Sequence, residues 1–156
     1  MLLVAGVVGG GLMSGLLFAF SCFVMTALSR LPSPQSVAAM QSINVAIVNP
    51  LFLSVFLGTA AVSILLAVHG ASHLESEPSP WVLAGGLCYL VGVIGVTMIF
   101  NIPLNNILAS AQPTADFTAD TWSGYITPWL CWNHVRTVLA VIAVAAYAFA
   151  LSALKR

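Results

Sequence analysis

Residues 2–28 read LLVAGVVGGGLMSGLLFAFSCFVMTAL, an apolar run without a single charged side chain. A membrane-spanning helix needs about 20 such residues. A cleaved signal peptide has an apolar core of only about 7–15 residues behind a basic stretch, and no basic stretch precedes this run. It is therefore expected to be a retained transmembrane helix. Three further runs of the same kind follow, at about 50–69, 81–100 and 129–154. All are continuously apolar rather than alternating, which predicts helices and not barrel strands. The expected fold class is all-α: an integral membrane four-helix bundle forming a single transmembrane domain over residues 1–156.

Composition agrees. The chain is 60% hydrophobic and 5% charged, against roughly 25% charged in a soluble domain. Lipid is the expected solvent, and the zero net charge offers no basic stripe for nucleic acid. Cys22, Cys88 and Cys131 show no CxxC pairing and are expected to be small buried apolar residues.

After span one, Pro32-Ser33-Pro34 marks a stop followed by a new helix start. A helix from there to His69 would be roughly 54 Å long at ~1.5 Å per residue, longer than a bilayer. A break is expected at Asn49-Pro50, leaving a short additional interfacial helix between spans one and two. The connection between spans three and four is expected to be polar and to run from Asn101 to Thr127. Trp81, Trp122, Tyr125 and Trp129 fall near span ends, where aromatic belts form. Small residues crowd span one (Gly6, Gly10, Gly11, Gly15) and span three (Gly85, Gly86, Gly92), so close helix packing is expected, with a homo-oligomer contact through these glycine-rich faces as the sharper alternative. Lys155 and Arg156 suggest cytoplasmic termini and a plasma (inner) membrane location, with Arg30 opposing that orientation.

With four spans, the end of span one, the start of span two, the end of span three and the start of span four share one membrane face. That face gathers Gln41, Asn44, Asn49, Asn101, Asn105, Trp129, Trp132, Asn133, His134 and Arg136. Arginine and histidine inside a span are costly and normally face the bundle interior or a water-filled cavity, which makes Arg136 and His134 candidates for function. Trp129, Trp132, Asn133 and Arg136 are spaced to share a helical face. The bland alternatives are that Arg136 snorkels, that Asn49 caps span two, and that Asn101 and Asn105 satisfy carbonyls freed around Pro103. His69 and His73 stand four apart without a third ligand, so no metal site is expected. Every Asp and Glu lies in a connection, which excludes a carboxylate-rich di-metal centre in the bundle.

Four stretches, GLLFAFSCFVMTAL (15–28), AAMQSINVAIVNPLF (38–52), NIPLNNIL (101–108) and WNHVRTVLA (132–140), are together similar to the anthrone oxygenase-like family of small four-helix membrane proteins. The resemblance implies an oxygenase that converts a lipophilic polycyclic anthrone-like substrate with dioxygen, with no cofactor required. On that reading His134 removes a proton, Arg136 with Asn101 or Asn105 holds the enolate oxygen, Asn133 joins them in the catalytic set, Asn44 and Asn49 contribute to substrate binding, and Trp129 and Trp132 stack the substrate. Two alternatives stay open: a haem oxidoreductase with His134 as axial ligand, and a non-catalytic carrier or assembly protein.

Overall fold

The computed structural model describes residues 1–112 and 118–154. Five helices account for nearly all of them: α1 (Leu2–Leu28), α2 (Ser33–Ala46), α3 (Pro50–Ser72), α4 (Ser79–Ser110) and α5 (Thr118–Ala153). Four of these, all but α2, are long and apolar enough to cross a membrane. Asp116, Lys155 and Arg156, the last two of which carried the orientation argument, lie outside the described residues.

The four long helices form a ring in which α1 and α4 each pack between α3 and α5. Neighbours run antiparallel: Gly6 of α1 lies against Tyr147 of α5 and Leu66 of α3, and Gly92 of α4 lies against Leu139 of α5. Close approach of the backbones explains several glycines. A Cβ on Gly85 would stand 2.6 Å from the Tyr147 ring, and one on Gly86 would stand 2.9 Å from the Ser63 carbonyl oxygen. Gly6 and Gly10 therefore serve packing within the chain, whereas Gly11 and Gly15 face open space.

Packing is uneven along the bundle. α3 packs closely on the first part of α4, up to Gly95, and separates from it beyond. α2 lies over the gap, against α5 and the segment Ile102–Ser110. Side chains from α2 hold it there. Gln41 Nε2 donates to the Leu108 and Ala111 carbonyls at 2.8 and 2.9 Å, and Ser36 Oγ donates to the Leu28 carbonyl at 2.8 Å. These carbonyls close α4 and α1, where a helix leaves its last acceptors without internal partners.

The expected break at Asn49-Pro50 is present. Asn49 caps α3 by accepting from the Phe52 N–H at 3.0 Å, and Pro50 opens the helix. The expected polar connection over 101–127 is mostly helical instead. α4 continues to Ser110 because Pro103 falls at the start of an α-helical segment, just after a π-helical turn at Thr97–Asn101, where a missing N–H costs little. A second π-helical stretch occupies Cys88–Gly95, and α1 has another at Phe20–Val24.

Two expectations about burial are corrected. Trp122, Tyr125 and Trp129 are not belt residues but are buried in the bundle, while Trp81 remains exposed. Cys22 and Cys131 are exposed rather than buried, since in lipid a small apolar side chain is as well solvated outside as in.

Replacing Gly85 by Ala should destabilise the protein by about 1–3 kcal/mol, the usual cost of overpacking. Gly15→Ala, which meets nothing, should be neutral or stabilising by up to about 1 kcal/mol. Reversible unfolding in mixed detergent micelles would measure both.

Candidate functional site

The buried side of α5 follows one stripe: Trp129, Asn133, Arg136, Ala140, Ala143, Tyr147 and Ala150. The alternating steps of four and three keep these residues on the seam that faces the other helices. Three polar or aromatic residues thus enter the interior on the same face that packs small residues further along.

Arg136 is 7% exposed although it sits in a membrane-spanning helix. Its hydrogen-bond partners are neutral: Nη1 donates to Thr97 Oγ1 at 3.0 Å and Nη2 to Asn133 Oδ1 at 2.8 Å. Its Nε–H is buried and has no partner. Glu75, Glu77 and Asp120 are all exposed. The guanidinium also lies over the Trp129 ring, 5.4 Å from its centroid, a cation–π contact.

Asn133 is fixed from the other side. Its Nδ2 donates to the Leu17 carbonyl at 2.9 Å and to Ser21 Oγ at 2.8 Å. Leu17 lies three residues before the π-helical turn of α1, and Ser21 lies within it. Because the amide nitrogen is committed to α1, the amide oxygen points at Arg136. The orientation of the cation is therefore set by α1 through Asn133 and by α4 through Thr97.

Asn105 forms a second node. Its Oδ1 accepts from the Tyr125 hydroxyl at 2.9 Å and from Trp129 Nε1 at 2.8 Å. An indole N–H can only donate, so the amide oxygen must face Trp129, which leaves the Asn105 Nδ2 donors turned away from it.

Between these nodes lies a cavity of about 210 Å³ where α3 and α4 separate. Its wall is mostly apolar, including Met13, Leu17, Phe20, Phe56 and Val93, and its polar members are Asn44, Thr97, Asn105, Trp129, Asn133 and Arg136. The volume is below the ~300–1,000 Å³ usual for drug-sized ligands, so a compact occupant is implied. Val48 and Ile102 lie both on the wall and on the exposed surface of the bundle.

Of the residues singled out from sequence, the structure brings Asn44, Asn105, Trp129, Asn133 and Arg136 to this cavity. It does not bring the others there. His134 is exposed, one position off the buried stripe of α5. Trp132 is turned away and stacks on Phe100, with centroids 3.5 Å apart. Asn49 is exposed and committed to its cap. Asn101 is buried behind the wall, donating to the Trp129 carbonyl at 3.2 Å while its Oδ1 has no partner. A haem held by His134 would therefore sit outside the bundle, and the cavity wall offers no His or Cys among the described residues. His69 and His73 stack on each other at the far end, and no group of three metal-ligating side chains occurs among the described residues. Ser21 and Thr97 were missed in the sequence; both are polar residues inside apolar runs, which is the signal that marks such positions.

Fold and site define a polytopic membrane protein with a small cavity beside a buried cation. A family profile described as anthrone oxygenase matches residues 46–146, more than half of the 156 residues, and the chain belongs to that family. The matched region covers α3, α4 and most of α5, including Asn105, Trp129, Asn133 and Arg136. No curated protein and no solved structure matches the chain.

Removing the Asn133 amide strands one buried guanidinium N–H. Asn133→Ala should lower stability in detergent by about 1–2 kcal/mol. Ser54→Ala, whose exposed hydroxyl bonds only within its own helix, should stay within about 0.5 kcal/mol.

Proposed function

We propose that this protein is a membrane-embedded oxygenase that oxidises a lipophilic, flat aromatic ketone of the anthrone kind with dioxygen. The observation that carries the reading is Arg136: a buried cation with neutral partners and one guanidinium nitrogen, Nε, that has no partner, on the wall of a mostly apolar cavity. Such an arrangement favours a ligand with an apolar body and an oxygen that carries negative charge, because a preorganised donor in a water-poor site stabilises charge strongly.

The chemistry follows from that preference. An activated methylene loses a proton and becomes an enolate, whose oxygen Arg136 holds while Trp129 and Phe56 flank the rings. The electron-rich carbon reduces dioxygen and bonds to it. After a proton is taken up, the resulting hydroperoxide loses water and leaves a ketone, so that CH2 and O2 become C=O and H2O. Asn133 and Thr97 act through Arg136 as positioning residues, and Asn44 and Asn105 contribute further polar contacts from the cavity wall. Membership in the anthrone oxygenase family supports the same reaction class. Access is from the bilayer, past Val48 and Ile102. The membrane in question is the plasma membrane, with both termini on the cytoplasmic side.

Purified protein in detergent micelles should accelerate oxygen uptake by anthrone, followed with an oxygen electrode. Arg136→Gln should lower turnover by about 10²–10³-fold, as loss of an oxyanion donor does elsewhere. His134→Ala should stay within about a factor of two, as exposed substitutions usually do. Loss of turnover on His134→Ala with Arg136→Gln unaffected would reverse these roles.

A further inference from the structure

Among the described residues, the cavity wall presents no group that takes up a proton near neutral pH. Its polar members are four kinds of side chain: the asparagine amides, the Thr97 hydroxyl, the Trp129 indole and the Arg136 guanidinium. Amides, alcohols and indoles are not bases in this range, and a guanidinium is already protonated. The titratable residues of each surrounding helix are accounted for elsewhere. In α1, Cys22 is exposed, and Ser33–Ala46 of α2 contains none. In α3, the histidine is His69, at the far end and exposed. In α4, the Tyr89 hydroxyl donates to the Phe56 carbonyl at 3.1 Å, and Cys88 packs with the same core cluster. In α5, the Tyr125 hydroxyl donates to Asn105 and the Tyr147 hydroxyl to Ser63, while Asp120, Cys131 and His134 are exposed. The two phenols nearest the wall thus spend their protons on carbonyl oxygens.

Two wall residues nevertheless have donor capacity to spare. Arg136 Nε–H is unpaired and buried. Asn105 has its amide oxygen engaged by Tyr125 and Trp129, so that its NH2 is the group left to bond a ligand.

Building on Arg136 as the holder of the oxyanion, we propose that the cavity takes its ligand already ionised, as a preformed enolate or phenolate, and that the ligand's own acidity, not a protein base, sets the pH dependence. The C–H or O–H bond breaks heterolytically at the aqueous interface. Its proton goes to water and its electron pair stays on the ligand, delocalised onto the oxygen that Arg136 and Asn105 then hold. If only the anion binds, apparent affinity rises about tenfold per pH unit below the ligand's pKa and is flat above it.

The test uses two compact fluorescent phenols, 2-naphthol and the more acidic 6-cyano-2-naphthol, titrated into the full-length protein in detergent micelles with protein-free micelles subtracted. Kd is expected to fall about tenfold per pH unit up to a break, and the break is expected to lie at lower pH for the cyano compound. The bound ligand should show the naphtholate absorption spectrum at a pH where the free ligand is neutral. Arg136→Gln should bind the neutral phenol or nothing; should that variant not fold, Arg136→Lys keeps the charge and is expected to retain the naphtholate spectrum with weaker binding. A break at one common pH for both ligands would mean that a protein group accepts the proton and would overturn the proposal, as would a pH-independent Kd with a neutral bound spectrum. Failure of either phenol to bind the wild-type protein at any pH would instead overturn the oxyanion reading of Arg136 itself.

Discussion

An arginine at the middle of a membrane helix costs about 2.5–3.5 kcal/mol on insertion scales, unless it finds donors' partners and escapes lipid. Arg136 lies within α5, a helix long and apolar enough to cross a membrane, and escapes lipid by facing inward. Much of the local structure answers to it. The π-helical turn of α1 adjoins the Leu17 carbonyl that fixes Asn133. The π-helical turn of α4 begins at Thr97, which takes a second guanidinium bond. Trp129 supplies the aromatic face. Wide turns of this kind occur most often at functional sites, where they re-aim a few side chains without ending a helix.

The bundle divides its length between two tasks. At the far end, Tyr147 fills the space between Gly6 and Gly85 and donates to Ser63 at 2.9 Å, so helices that lack a hydrophobic drive still lock together. Toward the other end α3 and α4 part and α2 spans the opening, pinned by Gln41 and Ser36 to the closing carbonyls of α4 and α1. A cavity persists there because small residues give way to an arginine, asparagines and tryptophans that cannot interdigitate as closely. Close packing is concentrated at one end, and the cavity at the other is lined by polar side chains already committed to one another.

Much of this was readable in the sequence. Apolar runs longer than a bilayer needs gave the four spans, and Asn49-Pro50 gave the break. Of the residues assigned to one membrane face, Asn44, Asn105, Trp129, Asn133 and Arg136 meet at one cavity. Which of them point inward was harder, because in a membrane protein an apolar exterior erases the usual contrast between faces. The buried stripe of α5 is nonetheless encoded: stepping back from Tyr147 through Ala143 and Ala140 by threes and fours reaches Arg136, Asn133 and Trp129, and passes by His134 and Trp132. Helical spacing alone allowed Trp132 to join them; the stacking on Phe100 that turns it away depends on a neighbouring helix. The extension of α4 past Pro103 was likewise hidden, since it depends on a π-helical turn that local propensity does not announce.

The most direct measurement is an experimental structure of the protein with 2-naphtholate bound. The account predicts the naphtholate oxygen within about 2.7–3.2 Å of Arg136 Nε and of Asn105 Nδ2, the range of an N–H···O bond, with the rings against Trp129 and Phe56. A ligand bound beside His134 on the outer surface, or near His69 at the far end of the bundle, with the cavity around Arg136 left empty, would contradict it.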